Sequence, residues 1–257
     1  MNARNESTTQ YAGYFALRAC LLGPSRTKTL TGQELIDVGR LVYGDPSGMS
    51  LYGVPAPQMA THGLRILGRT AIECSVDAYA IAVANWLAAS EFAPPADAFV
   101  ADLFCGSGNI GYHLGDRLDI PVHAAELDPL VFDHTRHNFS VMDIGVNLQL
   151  LDYRDLLSKL GASSPTDIYV VEPPWGPAFT ADGLNLATTA PPVPEILADI
   201  AASRRGVPCL IVIKTNDQIA YDSLGSCFAE ARHLTSVTPA PVLPTGANMD
   251  FHVYQLE

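Results

Sequence analysis

Charge is scarce in this 257-residue chain, and positive charge scarcest. Fifteen Lys and Arg stand against 27 Asp and Glu, for a formal net charge of −12, and charged residues make up only 16% of the total. Phosphate backbones are bound by clustered Lys and Arg. The densest groupings here are short, such as Arg26 with Lys28 and Arg204 with Arg205, which argues against a nucleic-acid partner. Cysteine is also sparse: five residues, at 20, 74, 105, 209 and 227, with no CxxC pair. Neither a disulfide framework nor a zinc site is expected, and free thiols suit a cytoplasmic protein. No apolar run reaches membrane-spanning length, and the polar residues 1–10 lack the apolar centre of a secretory signal. Internal repeats and low-complexity tracts are missing too. What remains is 48% hydrophobic content in a chain long enough to bury a full core. That is the profile of an acidic globular protein with a small-molecule ligand.

Local patterns divide the chain near Pro94-Pro95. Residues 1–94 read as a helical extension or lid, and residues 95–257 as the main domain. In the extension, residues 1–10 are expected to fray, Tyr11 to Leu22 to form a helix ended by Gly23-Pro24, and Thr31 with Glu34 to form a capping box for a helix reaching Tyr43. Gln58 to Leu67 and Ser75 to Ser90 are further helix candidates, the second with Val76, Tyr79, Ala80, Val83 and Leu87 on one face. From Phe99 onward strands alternate with helices. Strands are expected at 99–104, 122–127, 147–151, 167–171 and 207–214, and two final strands, 233–239 and 250–256, read as an antiparallel pair near an edge. Helices are expected at 109–118, 128–139, 154–160, 193–203 and 219–228. This succession predicts an α/β fold with a doubly wound, seven-stranded, mostly parallel sheet.

The most informative stretch is Val100-Ala101-Asp102-Leu103-Phe104-Cys105-Gly106-Ser107-Gly108-Asn109-Ile110-Gly111. It is an apolar strand, a glycine loop and a helix start, an arrangement that lets a ligand approach the backbone at a helix N-terminus. GxGxxG with Glu126 ending the next strand admits a nicotinamide or flavin dinucleotide. Asp102 points elsewhere, because a carboxylate before the loop repels phosphate and suits an ammonium group. A ligand with a ribose and an α-amino acid, but no phosphate, fits better.

Asp102 to Gly108 resembles the first motif of class I S-adenosylmethionine-dependent methyltransferases. Glu126-Leu127-Asp128 resembles their second, Asp152 their third and Glu172-Pro173-Pro174-Trp175 their fourth, over about residues 98–257. The resemblance implies a Rossmann-like fold, S-adenosyl-L-methionine as cofactor and no metal. It assigns the Gly106 and Gly108 backbone to the cofactor, Asp102 to its amino group directly or through water, and Glu126 to both ribose hydroxyls. Leu127 would pack on adenine and Asp152 would accept from the adenine amine, with Tyr153 nearby. Phe104 and Asn109, flanking the glycines, complete the set. Read without the resemblance, Asp102 is a loop-capping carboxylate and Asp152 a helix N-cap.

In the amino-methyltransferases the fourth motif begins with Asn, Asp or Ser, and that residue and a proline carbonyl orient the target amine. Pro-Pro-Trp-Gly-Pro is most similar to the trimethylguanosine synthase family and related RNA guanine-N2 methyltransferases. Here Glu172 takes the first position, so the catalytic set is Glu172, Pro173 and Trp175, with a structural salt bridge as the alternative for Glu172. The expected reaction is methyl transfer to an amine nitrogen of a small molecule. Three alternatives stand beside it: cyclisation of S-adenosylmethionine itself to azetidine-2-carboxylate with release of methylthioadenosine, methylation of an RNA guanine, and dinucleotide-dependent oxidoreduction. In the cyclisation Trp175 and a lid bearing Tyr43 or Tyr52 would wall the sulfonium. His62 and Arg65 are candidates for the cofactor carboxylate, though a solvated helix face is the simpler reading. His113, His134 and His137 are read as surface or core residues, and Thr215-Asn216-Asp217 as a possible substrate edge.

Overall fold

The computed structural model describes residues 3–239 and 248–257. Helix α1 (Ala3–Leu22) begins earlier than expected: no Gly or Pro interrupts the chain before Gly13, although Asn5, Ser7, Thr8 and Thr9 are weak helix formers. Helix α2 (Gly32–Tyr43) has the expected capping box, with Glu34 N–H donating to Thr31 Oγ1 at 3.3 Å and Thr31 N–H to Glu34 Oε2 at 2.8 Å. It ends on Gly44 at φ 74°.

Two short strands, β1 (Ser50–Leu51) and β2 (Val54–Pro55), then make a hairpin whose two-residue turn, Tyr52-Gly53, has φ 57° and 78°. The helix expected over Gln58 to Leu67 does not form. Helix α3 (Ala56–Met59) is a single turn, Thr29 bridges to Leu67 as extended chain, and α4 (Gly68–Glu73) begins only after it. Leu64, Ile66 and Leu67 are all buried, a spacing that suits extended chain closing over the core better than one helix face. Helix α5 (Asp77–Ala89) falls within its expected span.

The main sheet uses β3 (Val100–Asp102), β4 (Val122–Glu126), β5 (Asn147–Leu150), β6 (Ile168–Val171), then, after a small hairpin β7 (Phe179–Thr180) and β8 (Gly183–Leu184), β9 (Cys209–Asn216), β10 (Arg232–Val237) and β11 (Met249–Leu256). Between them lie α6 (Asn109–Leu118), α7 (Pro129–Met142), α8 (Tyr153–Lys159), α9 (Val193–Arg204) and α10 (Tyr221–Cys227). The strand order is β10-β11-β9-β6-β3-β4-β5, with β11 antiparallel to both its neighbours and parallel pairing from β9 to β5. This is the doubly wound, seven-stranded, mostly parallel sheet that the alternation predicts.

Alternation along the strands builds two cores. Val100, Ile168, Val170, Leu210 and Val212 face the side covered by the N-terminal segment, α5 and α6. Ala101, Tyr169, Val171, Ile211 and Ile213 face α8 and α9. Order reverses between β3 and β6, and open α/β sheets bind ligands beyond the carboxyl ends of the strands at such a point.

Candidate active site

A cavity of about 310 Å³ lies at that reversal. The strand period determines which side chains reach it. Asp102 is two residues past Val100, Glu172 two past Val170, and Lys214 two past Val212. All three therefore leave adjacent strands toward the N-terminal segment. Register pairs Val171 with Ile213, so Glu172 and Lys214 are the next pair along. Lys214 Nζ donates to Glu172 Oε2 at 2.9 Å, to the Glu73 carbonyl at 2.8 Å and to Ser75 Oγ at 3.2 Å. Ser75 Oγ donates to Glu172 Oε1 at 3.0 Å. The ammonium is thus fully engaged, and Glu172 is held inward by an ion pair. The expected salt bridge forms, and Glu172 lines the cavity as well.

Ten of the twelve residues singled out from sequence line the cavity: Phe104, Gly106, Asn109, Glu126, Leu127, Asp152, Tyr153, Glu172, Pro173 and Trp175. Asp102 and Gly108 stand behind that surface. Asp102 is 1% exposed, and its Oδ2 has no hydrogen-bond partner. Burial, with Glu172 and Glu126 adding to it, pushes its carboxyl up to about 8, against the pull of the Phe104 and Gly111 amides. It sits beneath the glycine loop, its burial favouring the protonated form. Gly108 is at φ 70°, and a Cβ there would lie 2.4 Å from Phe139 Cζ. Gly106, at φ 54°, faces open space instead, with only the Phe104 carbonyl within 4 Å of such a Cβ.

Glu126 is the best-placed acid on the wall. Its Oε2 accepts from Gly106 N–H at 2.9 Å and its Oε1 from Asp128 N–H at 2.8 Å. Burial raises its pKa, and these two amides oppose the rise. Each oxygen uses one of its two lone-pair sites on the backbone and keeps one for another donor. Leu127 beside it is 66% exposed, an unusual place for a leucine. Asp152 Oδ1 caps α8 through Arg154 N–H at 2.9 Å, so the capping role is realised, and the residue still lines the cavity. Tyr153 packs its ring 5.2 Å from that of Phe104, while its hydroxyl donates to Asp199 at 2.7 Å, away from the loop. Trp175 is half-buried, 6.3 Å from the Phe179 ring.

Asn109 lines the cavity, but its amide group faces backward. Its Oδ1 accepts from Tyr52 N–H at 2.7 Å, and its Nδ2 donates to the Ser75 carbonyl at 2.7 Å. The Tyr52 hydroxyl donates to the Ser107 carbonyl, and His113 Nε2 lies 2.7 Å from Asp77 Oδ1. The hairpin tip and the start of α5 thus clamp the glycine loop from behind. Tyr-Gly is a weaker hairpin signal than Asn-Gly or Asp-Gly, which is why the sequence did not reveal the clamp. Tyr43 lines the cavity whereas Tyr52 is committed to the clamp.

His62 and Arg65 do not reach the cavity. His62 Nδ1 pairs with the Gln58 carbonyl, and the Arg65 backbone pairs with Asn138. Cations on the wall come instead from Arg18, Arg69 and Lys214. Arg69 bonds Glu73 at 3.0 Å and Asp128 at 2.8 Å. Among the described residues no group of three His, Cys, Asp or Glu could hold a metal, and no helix is long and apolar enough to cross a membrane.

No protein-family model matches the sequence, and no curated protein does. Solved structures show likenesses of modest overlap. A TehB-like SAM-dependent methyltransferase from Corynebacterium glutamicum is 19% identical, over 70% of this chain and 89% of its own, with a TM-score of 0.42. Precorrin 8w decarboxylase from Methanobacterium thermoautotrophicum is 17% identical, over 67% and 88%, at 0.46. Magnesium protoporphyrin IX methyltransferase from Synechocystis PCC 6803, solved with SAM bound, is 10% identical, over 69% and 78%, at 0.47. The sheet order and the cavity stand on this chain's own geometry.

Proposed function

We propose that the chain is an S-adenosylmethionine-dependent enzyme that methylates an amine nitrogen of a small molecule. The observation that carries the reading is Glu126. Its carboxylate is pinned to the glycine loop by the Gly106 amide and keeps acceptor capacity toward the cavity, which suits the two adjacent hydroxyls of a ribose. Three further features fit the same ligand. The cradle at Gly106 is one that a side chain would fill. Leu127, Val131 and Leu151 offer an apolar surface for a base beside Asp152. Asp102, with an unpartnered oxygen under the loop, would ionise beside a cation such as an ammonium group, a pairing that the pyrophosphate of a dinucleotide cannot offer.

Bound S-adenosylmethionine supplies an electrophilic methyl group on a sulfonium. The chain's own residues supply position. Pro173 and Pro174 offer no N–H, so their turn presents acceptors only toward an incoming amine. Trp175, Tyr43 and Tyr79 belong to the wall of the same cavity and would offer aromatic faces to a cation. The segment before residue 95 contributes Tyr14, Arg18, Tyr43, Ser75 and Tyr79 to the wall and would limit the water that reaches the reacting groups.

A second reading, cyclisation of S-adenosylmethionine to azetidine-2-carboxylate, is favoured by one observation. Lys214 and Ser75 hold Glu172, so the first residue of the Pro-Pro turn is not offered freely to a separate amine.

Both readings are tested by calorimetry with S-adenosylhomocysteine and by mass spectrometry after incubation with S-adenosylmethionine alone. Binding without turnover supports a transferase that needs its acceptor. Methylthioadenosine with azetidine-2-carboxylate selects the cyclisation. Absence of binding to either compound overturns both.

A further inference from the structure

Arg18 is the wall cation with no hydrogen bond or ion pair among the described residues, whereas Lys214 and Arg69 are each committed to carboxylates. It is half-buried on α1, one turn after Tyr14, which is 4% exposed and lines the same cavity. Residues four apart share a helix face. The Tyr14 hydroxyl feels both Arg18 and Asp217, and Asp217 follows the end of β9. This face of α1 therefore overlooks the β9 end of the sheet. Strands lie about 4.8 Å apart, so β9 is about 10 Å from the glycine-loop strand β3 and about 14 Å from β4, which carries Glu126. The same cavity wall carries the apolar and aromatic side chains Leu22, Val42, Tyr43, Tyr79 and Met249.

Arg69 and Lys214 are already paired with carboxylates. Among the described residues the guanidinium of Arg18 is thus the unpaired cation on a wall that also carries Glu73, Glu126, Asp152 and Glu172, and it has no use for a sulfonium or an amine. We propose that Arg18 is the anion subsite for the acceptor, which is a small molecule carrying a carboxylate at one end, an apolar or aromatic middle and the reacting nitrogen at the other. This rests on reading the opposite end of the cavity as the S-adenosylmethionine site. Arg presents a planar fork that matches a carboxylate bidentately, and the apolar and aromatic residues of the wall select the body of the ligand.

The test is titration calorimetry of the full chain saturated with S-adenosylhomocysteine. The probes are benzoate, 3-phenylpropionate and phenylalanine, each beside its uncharged primary amide. At least one carboxylate is expected to bind about tenfold tighter than its amide. Arg18→Ala should abolish that preference and Arg18→Lys keep part of it, with S-adenosylhomocysteine affinity unchanged within about twofold in both. No preference in the wild type, or no binding by any carboxylate, overturns the proposal. So does an Arg18→Ala loss that falls on S-adenosylhomocysteine, since Arg18 would then serve the cofactor's own carboxylate. If the wild type binds no S-adenosylhomocysteine, the cofactor reading fails by itself, and the same probes on the unliganded protein still decide whether Arg18 selects carboxylates. Thermal melting of both variants checks folding, which a partly exposed and unpaired side chain should not disturb.

Discussion

Lys214 and Glu172 are partners twice: they extend the register of β9 and β6, and their side chains form an ion pair 2.9 Å long within the cavity wall. The lysine side chain is 6% exposed and the glutamate 16%. Removing one partner leaves the other charge buried, which costs more than the pair itself contributes. Lys214→Met should therefore lower stability by about 3 kcal/mol in urea denaturation. The double variant Lys214→Met/Glu172→Leu should lose clearly less than the sum of the two single changes. Additive losses would mean that the two groups are screened from each other.

Asp102 predicts an unusual pH dependence. Its folded pKa, about 8, lies above its ordinary value of 3.8. Between those limits the folded chain binds more protons at this group than the unfolded chain does, so its contribution to stability falls as pH rises. Burial also raises Glu126, with the same sign. Asp102→Asn should flatten the decline between pH 5 and 8, measured by denaturant midpoints across that range. An unaltered slope would falsify the assignment of the slope to Asp102. If a cation binds near the loop, Asp102 must ionise, so S-adenosylhomocysteine binding at pH 7 should release a proton, visible as buffer-dependent heats.

The two glycines of the loop should fail differently. Gly108→Ala combines a positive φ with a methyl 2.4 Å from Phe139 Cζ, so a stability loss of about 2 kcal/mol or more is expected. Gly106→Ala shares the strained φ and should lose about 1 kcal/mol. Its methyl would stand in the open cradle, so most of its effect should appear as weakened S-adenosylhomocysteine binding. Thermal melts and calorimetry on the same samples separate the two outcomes.

Asn109→Ala removes the bonds from its side chain to the Tyr52 amide and the Ser75 carbonyl, leaving only the Tyr52 hydroxyl on Ser107. Two buried backbone groups lose partners, at about 1–3 kcal/mol each. The N-terminal segment should become sensitive to protease well below the global unfolding midpoint. Asn109→Asp can still accept from Tyr52 but cannot donate to the Ser75 carbonyl, so it should rescue only in part.

The parallel sheet was legible in the sequence because its central strands carry short apolar runs, the edge strand Asn147–Leu150 alternates, and each ends at a polar or glycine-rich loop. The acids at 126 and 152 and the Pro-Pro turn were legible because motif spacing places them at those ends. The clamp was not. Tyr52 adopts a positive φ that no residue type signals, and Asn109 looks like a loop residue until its partners 34 and 57 positions away are known. Lys214 did leave a signal, a single charge closing an otherwise apolar strand, but only the register reveals its partner. Arg18 resembles any solvated helix residue until the cavity is seen. Gln58 to Leu67 misled because the helix formers on both sides of Gly63 outweigh it as a sequence signal, whereas Gly63 takes a positive φ of 73° and the chain beyond it runs extended.

The clamp behind the glycine loop bears on how a ligand is met. With Ser107 held by the Tyr52 hydroxyl and Asn109 anchored on both sides, the loop takes its shape as the chain folds and does not wait for an occupant. Little backbone entropy is then left to lose on association. Affinity at this end of the cavity should be preorganised, with a heat-capacity change that reflects buried surface alone and not a segment being ordered.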